Sequence, residues 1–316
     1  MNAPSQRIVR VALTETCNAY RPMPATIDGL GALADRLGEV RAANIAHNMD
    51  LVDRAADHGA QIVGLGELCS APYFALVRDR MWLALAEDAA AGPSVSACRE
   101  RARARGVCVV APIFEDDPVS GRRFNTAVVI DERGEILGKY RKTHIPEGQN
   151  ELGSFHESFY YGPSDGELGE MPGNVAQNPF FPVFETRFGR LGVAICYDRH
   201  FEGVVRSLAA GGAQIILSPA ITFGAKSRRV WEQEFEVDAV RHRLYIAGSN
   251  RRGAEAPWNQ DFFGGSYFAG PNGRVPTIAG APAGLVIADL DLGALAGTDP
   301  SGWDLGRDRR PGIYSP

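Results

Sequence analysis

The chain has 316 residues and a net charge of −5. That length suits one large α/β domain or two ordinary ones, and the mild acidity argues against nucleic acid or an anionic membrane surface as the main partner. No run approaches the roughly 18 apolar residues that suggest a spanning helix, and the opening MNAPSQRIVRVAL has no basic stretch leading into a long apolar one, so no secretory signal is read and a cytoplasmic location is expected.

Strand and helix signals alternate along most of the chain. RIVRVAL (7–13) alternates like a strand. Across 39–58, Ala42, Ile45, Met49, Val52 and Ala56 recur at helical spacing, and Gly59 is a natural stop. QIVGLGEL (61–68) reads as a short buried strand. Ser94 is placed to cap a helix ending at Gly106. VCVVAPIFE (107–115) and NTAVVID (125–131) read as a hairpin, followed by ILGKYRKTHI (136–145). The segment 147–182 is the longest irregular stretch, and long loops in compact domains are often functional. The second half repeats the pattern: a strand at 190–195, a helix near 201–210, strand 213–220, an amphipathic helix near 227–243, strand 244–250, a strand entering a turn over 264–276, and a last strand over 283–292. Alternating elements predict sheets covered by helices, and the hairpins predict mixed rather than purely parallel sheets. No low-complexity linker divides the chain, so 1–316 reads as a single domain.

Three predicted strands end near a reactive residue: Glu67, Lys142 and Cys196. A thiol alone is most often a small packing hydrophobe. Brought together above one sheet edge, the three would have distinct roles. The thiolate is a nucleophile, the carboxylate moves its proton and later activates water, and the ammonium stabilises an anionic tetrahedral oxygen. A helix starting just after Cys196 would favour the thiolate. Cys17, Cys69, Cys98 and Cys108 are dispersed, with no CxxC pair, and read as reduced packing thiols. The six histidines show no HxH or HExxH spacing, so no metal site is expected. Trp231 and Phe235, four apart, read as a packed helix face.

GEL (66–68), GKYRKTHIP (138–146) and GVAICYDRH (192–200) resemble, in this order, the three signature regions of the nitrilase superfamily of carbon–nitrogen hydrolases. The resemblance spans nearly the whole chain. It implies a four-layer αββα sandwich with mixed sheets, and a Glu67–Lys142–Cys196 triad. FHESFYY (155–161) resembles the setting of a second pocket glutamate and points to Glu157. No metal or organic cofactor is implied. The resemblance also implies a homodimer or higher homo-oligomer, and the tail from about 293 to 316 is expected to take part in its contacts.

GRRFNTAVVIDERGEILGKYRKTHIP, ICYDRH and GGSYFAGP look most like β-ureidopropionases, with N-carbamoyl amino acid hydrolases and N-carbamoylputrescine amidases nearby. Tyr197-Asp198 stand where nitrilases proper usually carry Trp-Glu, and Leu65-Gly66-Glu67 lacks the proline of the family's usual FPE. Residues 162–178 are longer than the usual connection. Arg199 suits a substrate carboxylate, because a guanidinium fork matches that shape; a structural ion pair with Asp198 or Glu202 is the competing reading. His144 is read as a pocket-wall residue and His200 as a substrate contact. The expected reaction is hydrolysis of a small carbamoyl substrate that carries a carboxylate. An ω-amidase-like amide hydrolase, an N-carbamoylputrescine amidase and a non-catalytic binding relative are the alternatives; the last predicts a broken triad.

Overall fold

The computed structural model describes residues 6–296, 299 and 301–313. The elements run β1 (Ile8–Thr14), α1 (Leu37–Asp57), β2 (Ile62–Gly64), α2 (Pro93–Arg105), β3 (Cys108–Asp116), β4 (Arg123–Ile130), β5 (Ile136–Arg141), β6 (Glu147–Asn150), β7 (Gly153–His156), β8 (Phe184–Thr186), β9 (Gly189–Val193), α3 (Glu202–Ala210), β10 (Ile215–Ala220), α4 (Ala225–His242), β11 (Tyr245–Asn250), β12 (Arg252–Glu255), β13 (Gln260–Phe263), β14 (Tyr267–Gly270), β15 (Gly273–Val275) and β16 (Leu285–Asp291). Two six-stranded sheets dominate, ordered β16-β1-β2-β3-β4-β5 and β15-β14-β11-β10-β9-β8. Both are mixed. β1, β2 and β3 are parallel while β3–β4 and β4–β5 are antiparallel, and β9, β10 and β11 are parallel beside an antiparallel β14.

The period of two explains the layering. Val9, Val11, Leu13, Ile62, Cys108 and Val110 point into one core shared with Leu191, Val193, Ile215 and Leu217 of the other sheet. Their alternates, Ala12, Val63, Val109, Ala111 and Ile113, pack instead with Val52, Ala55, Val95 and Ala102 of α1 and α2. Leu208 of α3 and Trp231, Phe235 and Ala239 of α4 cover the second sheet. Gly248 on β11 permits that last contact, because any side chain there would overlap the Phe235 ring. The result is the four-layer αββα sandwich. Trp231 and Phe235 form the packed face expected of them, with ring centroids 4.9 Å apart.

Several local expectations need correction. β2 ends at Gly64, and the chain turns over 67–70 while Leu65 and Cys69 still donate to β3 carbonyls. α2 starts from Gly92 with Pro93 in its first turn, so Ser94 lies inside the helix; its backbone N–H donates to Glu87 Oε2 at 2.8 Å. The helix does end at Gly106, which is left-handed at φ +66°. The segment 147–182 contains the hairpin β6–β7. The three reactive residues do not share one sheet edge: Glu67 and Lys142 follow strands of the first sheet and Cys196 follows β9 of the second. Residues 297, 298, 300 and 314–316 of the tail expected to make oligomer contacts lie outside the described residues. Among the described residues, no helix is long and apolar enough to cross a membrane.

Candidate active site

β2 and β5 run in the same direction in the first sheet, and β9 and β10 do so in the second. Their C-terminal ends meet where the two sheets face each other. Lys142 is the first residue beyond β5, and Glu67 and Cys196 each lie three residues beyond their strands. All three are buried, as is Glu157. Lys142 Nζ donates to Glu67 Oε1 at 3.0 Å and to Glu157 Oε2 at 2.6 Å. Glu67, Glu157 and Cys196 each bring one atom within 4.8 Å of the other two. A thiolate and two carboxylates that close could ligate a metal, but here the Lys142 ammonium already sits against both carboxylates as the balancing cation.

Each group is fixed from behind. Glu67 Oε1 also accepts from Asn125 Nδ2 at 2.7 Å, and Oε2 accepts the Ile221 backbone N–H at 2.7 Å. Tyr73 donates its hydroxyl to Glu157 Oε1 at 2.9 Å. Cys196 holds a left-handed φ of +71°, which a β-carbon makes costly, and such conformations persist only where the surroundings enforce them. Two neighbours do so. Arg199 Nη1 donates to the Cys196 carbonyl at 2.6 Å. Asp198 Oδ2 accepts from the Ile195 N–H at 3.2 Å and the Tyr140 hydroxyl at 2.6 Å. Asp198 Oδ1 accepts from the Thr143 hydroxyl at 2.7 Å and the His144 N–H at 2.9 Å. One carboxylate thus ties the turn that carries Cys196 to the residues just after Lys142.

Charge in this site follows from burial. Burial works against the Lys142 ammonium, but the Glu157 and Glu67 carboxylates beside it, joined by Cys196 once that group is ionised, outweigh it and hold its pKa well above the usual lysine value. Burial, with help from Glu67, raises the Glu157 carboxyl against the pull of Lys142. Burial also pushes the Cys196 thiol up to about 12; Glu67 and Glu157 add to the rise, while Lys142 and Arg199 oppose it. The helix-dipole expectation therefore fails. What begins at Cys196 is a five-residue 3₁₀ turn, α3 starts only at Glu202, and desolvation dominates. A value raised this far favours the thiol over the thiolate in the substrate-free protein. Iodoacetamide alkylation of Cys196 in substrate-free enzyme should rise about tenfold per pH unit from pH 7 to 10 without levelling. A plateau near pH 7 in rapid-mixing mass spectrometry would show a stable thiolate and refute this.

The thiol opens on a cavity of about 170 Å³ lined by Tyr73, Phe155, Phe223, Tyr197, Ile221 and Pro146, with Glu147, Asn150, Glu157, Arg199, His200, Thr222 and Ser227 as its polar wall. Arg199 is buried on this wall and pairs with Glu234 of α4 through Nε, rather than with Asp198 or Glu202. Nη2 makes only a long bond to the Thr222 hydroxyl, 3.4 Å. His200 also lines the cavity, with Nδ1 3.0 Å from Glu234 Oε2. His144 stands apart from the lining residues; its ring stacks on Phe201 at 3.7 Å, and Nδ1 is 2.8 Å from Asp198 Oδ1. Sequence reasoning missed Asn125 and Tyr73, and read Asp198 only as a possible partner of Arg199. Asn125 alone left a signal, an amide opening a run otherwise suited to a buried strand.

The carbon–nitrogen hydrolase family model matches residues 39–299. A β-ureidopropionase of Arabidopsis thaliana is 31% identical over 302 residues, covering 90% of this chain and 67% of the relative. An N-carbamoylputrescine amidase of Solanum tuberosum is 29% identical over 286 residues, 86% of this chain and 89% of the relative. A carbon–nitrogen hydrolase from Helicobacter pylori G27 has the same fold, with a TM-score of 0.75 at 24% identity over 98% of this chain and 97% of its own. An amidase from Nesterenkonia sp. superposes with a TM-score of 0.68 at 26% identity, over 96% and 94%. Family match, αββα sandwich and unbroken site agree: the chain is an enzyme of the carbon–nitrogen hydrolase family, in the nitrilase superfamily.

Proposed function

We propose that this hydrolase acts on N-carbamoyl amino acids, with Cys196 as nucleophile. The observation that carries the reading is the placement of a buried guanidinium, Arg199, on the wall of the thiol's own cavity, with its Nη2 only weakly engaged. Cys196 Sγ attacks the carbamoyl carbon as Glu67 takes its proton. The carbonyl oxygen becomes an oxyanion beside the Lys142 ammonium. The intermediate collapses, Glu67 returns the proton to the nitrogen, and ammonia leaves a carbamoyl thioester on Cys196. Glu67 then takes a proton from water. The hydroxide cleaves the thioester and frees the thiol and an N-carboxy amino acid, which loses carbon dioxide. Glu157 keeps Lys142 aimed and charged throughout.

A screen of N-carbamoyl-β-alanine, N-carbamoyl-α-amino acids of both hands, N-carbamoylputrescine, ω-amides and nitriles tests the proposal. Equal amounts of ammonia and carbon dioxide from the N-carbamoyl amino acids support it; turnover of N-carbamoylputrescine alone, or ammonia without carbon dioxide, refutes it. One observation favours the second outcome, a simple amide hydrolase: Glu234 already balances the charge of Arg199.

Arg199→Ala separates the two. The side chain also props the Cys196 carbonyl, so some loss is expected on every substrate. A charge-assisted bond to a substrate carboxylate contributes roughly 1.5–3 kcal/mol. The fall in kcat/KM should therefore be about 10- to 100-fold greater for N-carbamoyl-β-alanine than for a short neutral amide. Equal falls would confine Arg199 to the nucleophile turn.

A further inference from the structure

The Glu67 turn and the Tyr73 loop are both held by a buried ion pair that lies outside the lining of the thiol's cavity. Arg251 follows β11 directly, and its backbone is pinned on both sides: its N–H donates to the Ala220 carbonyl at 3.1 Å, and its carbonyl accepts from Gly264 at 3.0 Å. From that fixed point the guanidinium reaches under the turn that carries Glu67. Nη2 donates to the carbonyls of Glu67 at 3.0 Å, Leu68 at 3.4 Å and Ala71 at 3.2 Å. Leu68 is left-handed, at φ +49°, so this turn needs an external brace. Nη1 pairs with Glu255 Oε1, which also accepts the Asn18 N–H at 2.7 Å. Glu255 Oε2 accepts the backbone N–H of Tyr73 at 2.8 Å, and the Tyr73 hydroxyl holds Glu157. Both partners are buried.

We infer that the Arg251–Glu255 pair is a positioning device for the reaction: one end fixes the backbone of Glu67 and the other fixes Tyr73, and through it Glu157, so the pair sets the separation of the two carboxylates that flank Lys142. Through Nη1 and Nη2 the planar guanidinium bonds the Glu255 carboxylate and the carbonyls of one turn together in fixed directions, where an ammonium offers three freely rotating donors from a single point. The pair touches neither the thiol nor the cavity that holds substrate, so its effect must pass through Glu67 and Tyr73. A displacement of about 1 Å in a reacting group is enough to cost roughly 100-fold in rate.

The inference rests on the proposed role of Glu67, so Glu67→Gln is measured beside it, using the best substrate of the screen. Arg251→Met should lower kcat about 10- to 100-fold and leave KM within about threefold, with circular dichroism and the number of alkylatable thiols unchanged. Arg251→Lys should recover part of kcat, and Glu255→Gln should lose less than Arg251→Met because its shape is kept. Arg251→Lys combined with Glu67→Asp should lose less than the product of the single losses, since both act on one group. If Arg251→Met does not fold, Arg251→Lys and Glu255→Gln carry the test. A kcat per folded molecule within threefold of wild type in these variants, or fully multiplicative losses in the double variant, overturns the inference. An active Glu67→Gln overturns the proposed mechanism instead.

Discussion

Cys196→Ala should give a folded protein whose turnover falls roughly 10⁴- to 10⁶-fold, the scale seen when a covalent nucleophile is removed from a working site. Stability should change little, because Ala keeps the β-carbon and so the same strain at φ +71°. Cys196→Gly sharpens the test. Glycine adopts that backbone freely, so this variant should unfold at or above the wild-type denaturant midpoint and still be inactive. Wild-type rates in either variant, measured by ammonia release, would remove Cys196 from the mechanism. A loss of activity that tracked a loss of folded protein would make the residue structural.

How far such a site could be read in advance depended on how local its causes are. Strands with apolar alternation, such as β1, β3 and β11, and the stripe of α1, were legible because burial repeats along the chain itself. The end of β2 was not. Leu65 and Cys69 continue to bond β3, through the carbonyls of Val110 and Pro112, yet the chain between them turns out to meet Arg251, more than 180 positions away. The hairpin β6–β7 escaped because its polar and glycine residues, EGQN and GSFH, carry little strand signal. Glu67 and Cys196 could be picked out because each follows an apolar run, whereas Lys142 follows the polar GKYR and stood out through the family resemblance of GKYRKTHIP. Their supports could not. Glu234 reaches Arg199 from α4, while the sequence neighbourhood offered only Asp198 and Glu202 as partners. Asp198 looked like a charge beside the thiol; its work is to bind two segments that no spacing relates.

The crowding of charge around the thiol has the same origin. Three buried ionic groups are tolerable here because every carboxylate oxygen of Glu67 and Glu157 has a partner, and removing one partner should expose the cost. Lys142→Met leaves Glu67 and Glu157 buried with no cation between them. Stability should fall by about 3–5 kcal/mol, and turnover should fall at least 100- to 1000-fold if Lys142 supports the oxyanion as proposed. The sign of the pH dependence follows from Glu157, whose carboxyl lies above the usual value even beside Lys142 because of burial and Glu67. Without Lys142 its folded-state value rises further. A carboxyl that holds its proton more tightly in the folded state favours folding at low pH, and that benefit is lost as pH rises above the unfolded carboxyl's range, about 4.3. Lys142→Met should therefore resist urea better at pH 5 than at pH 8. Adding Glu157→Gln should restore much of the stability at pH 8, since one like charge is removed in place, and should restore none of the activity. Urea titrations at both pH values, run beside ammonia release, decide the matter. A double variant as unstable as Lys142→Met would mean that carboxylate repulsion is not what Lys142 relieves. Recovery of turnover in the double variant would show that the ammonium is not what holds the oxyanion.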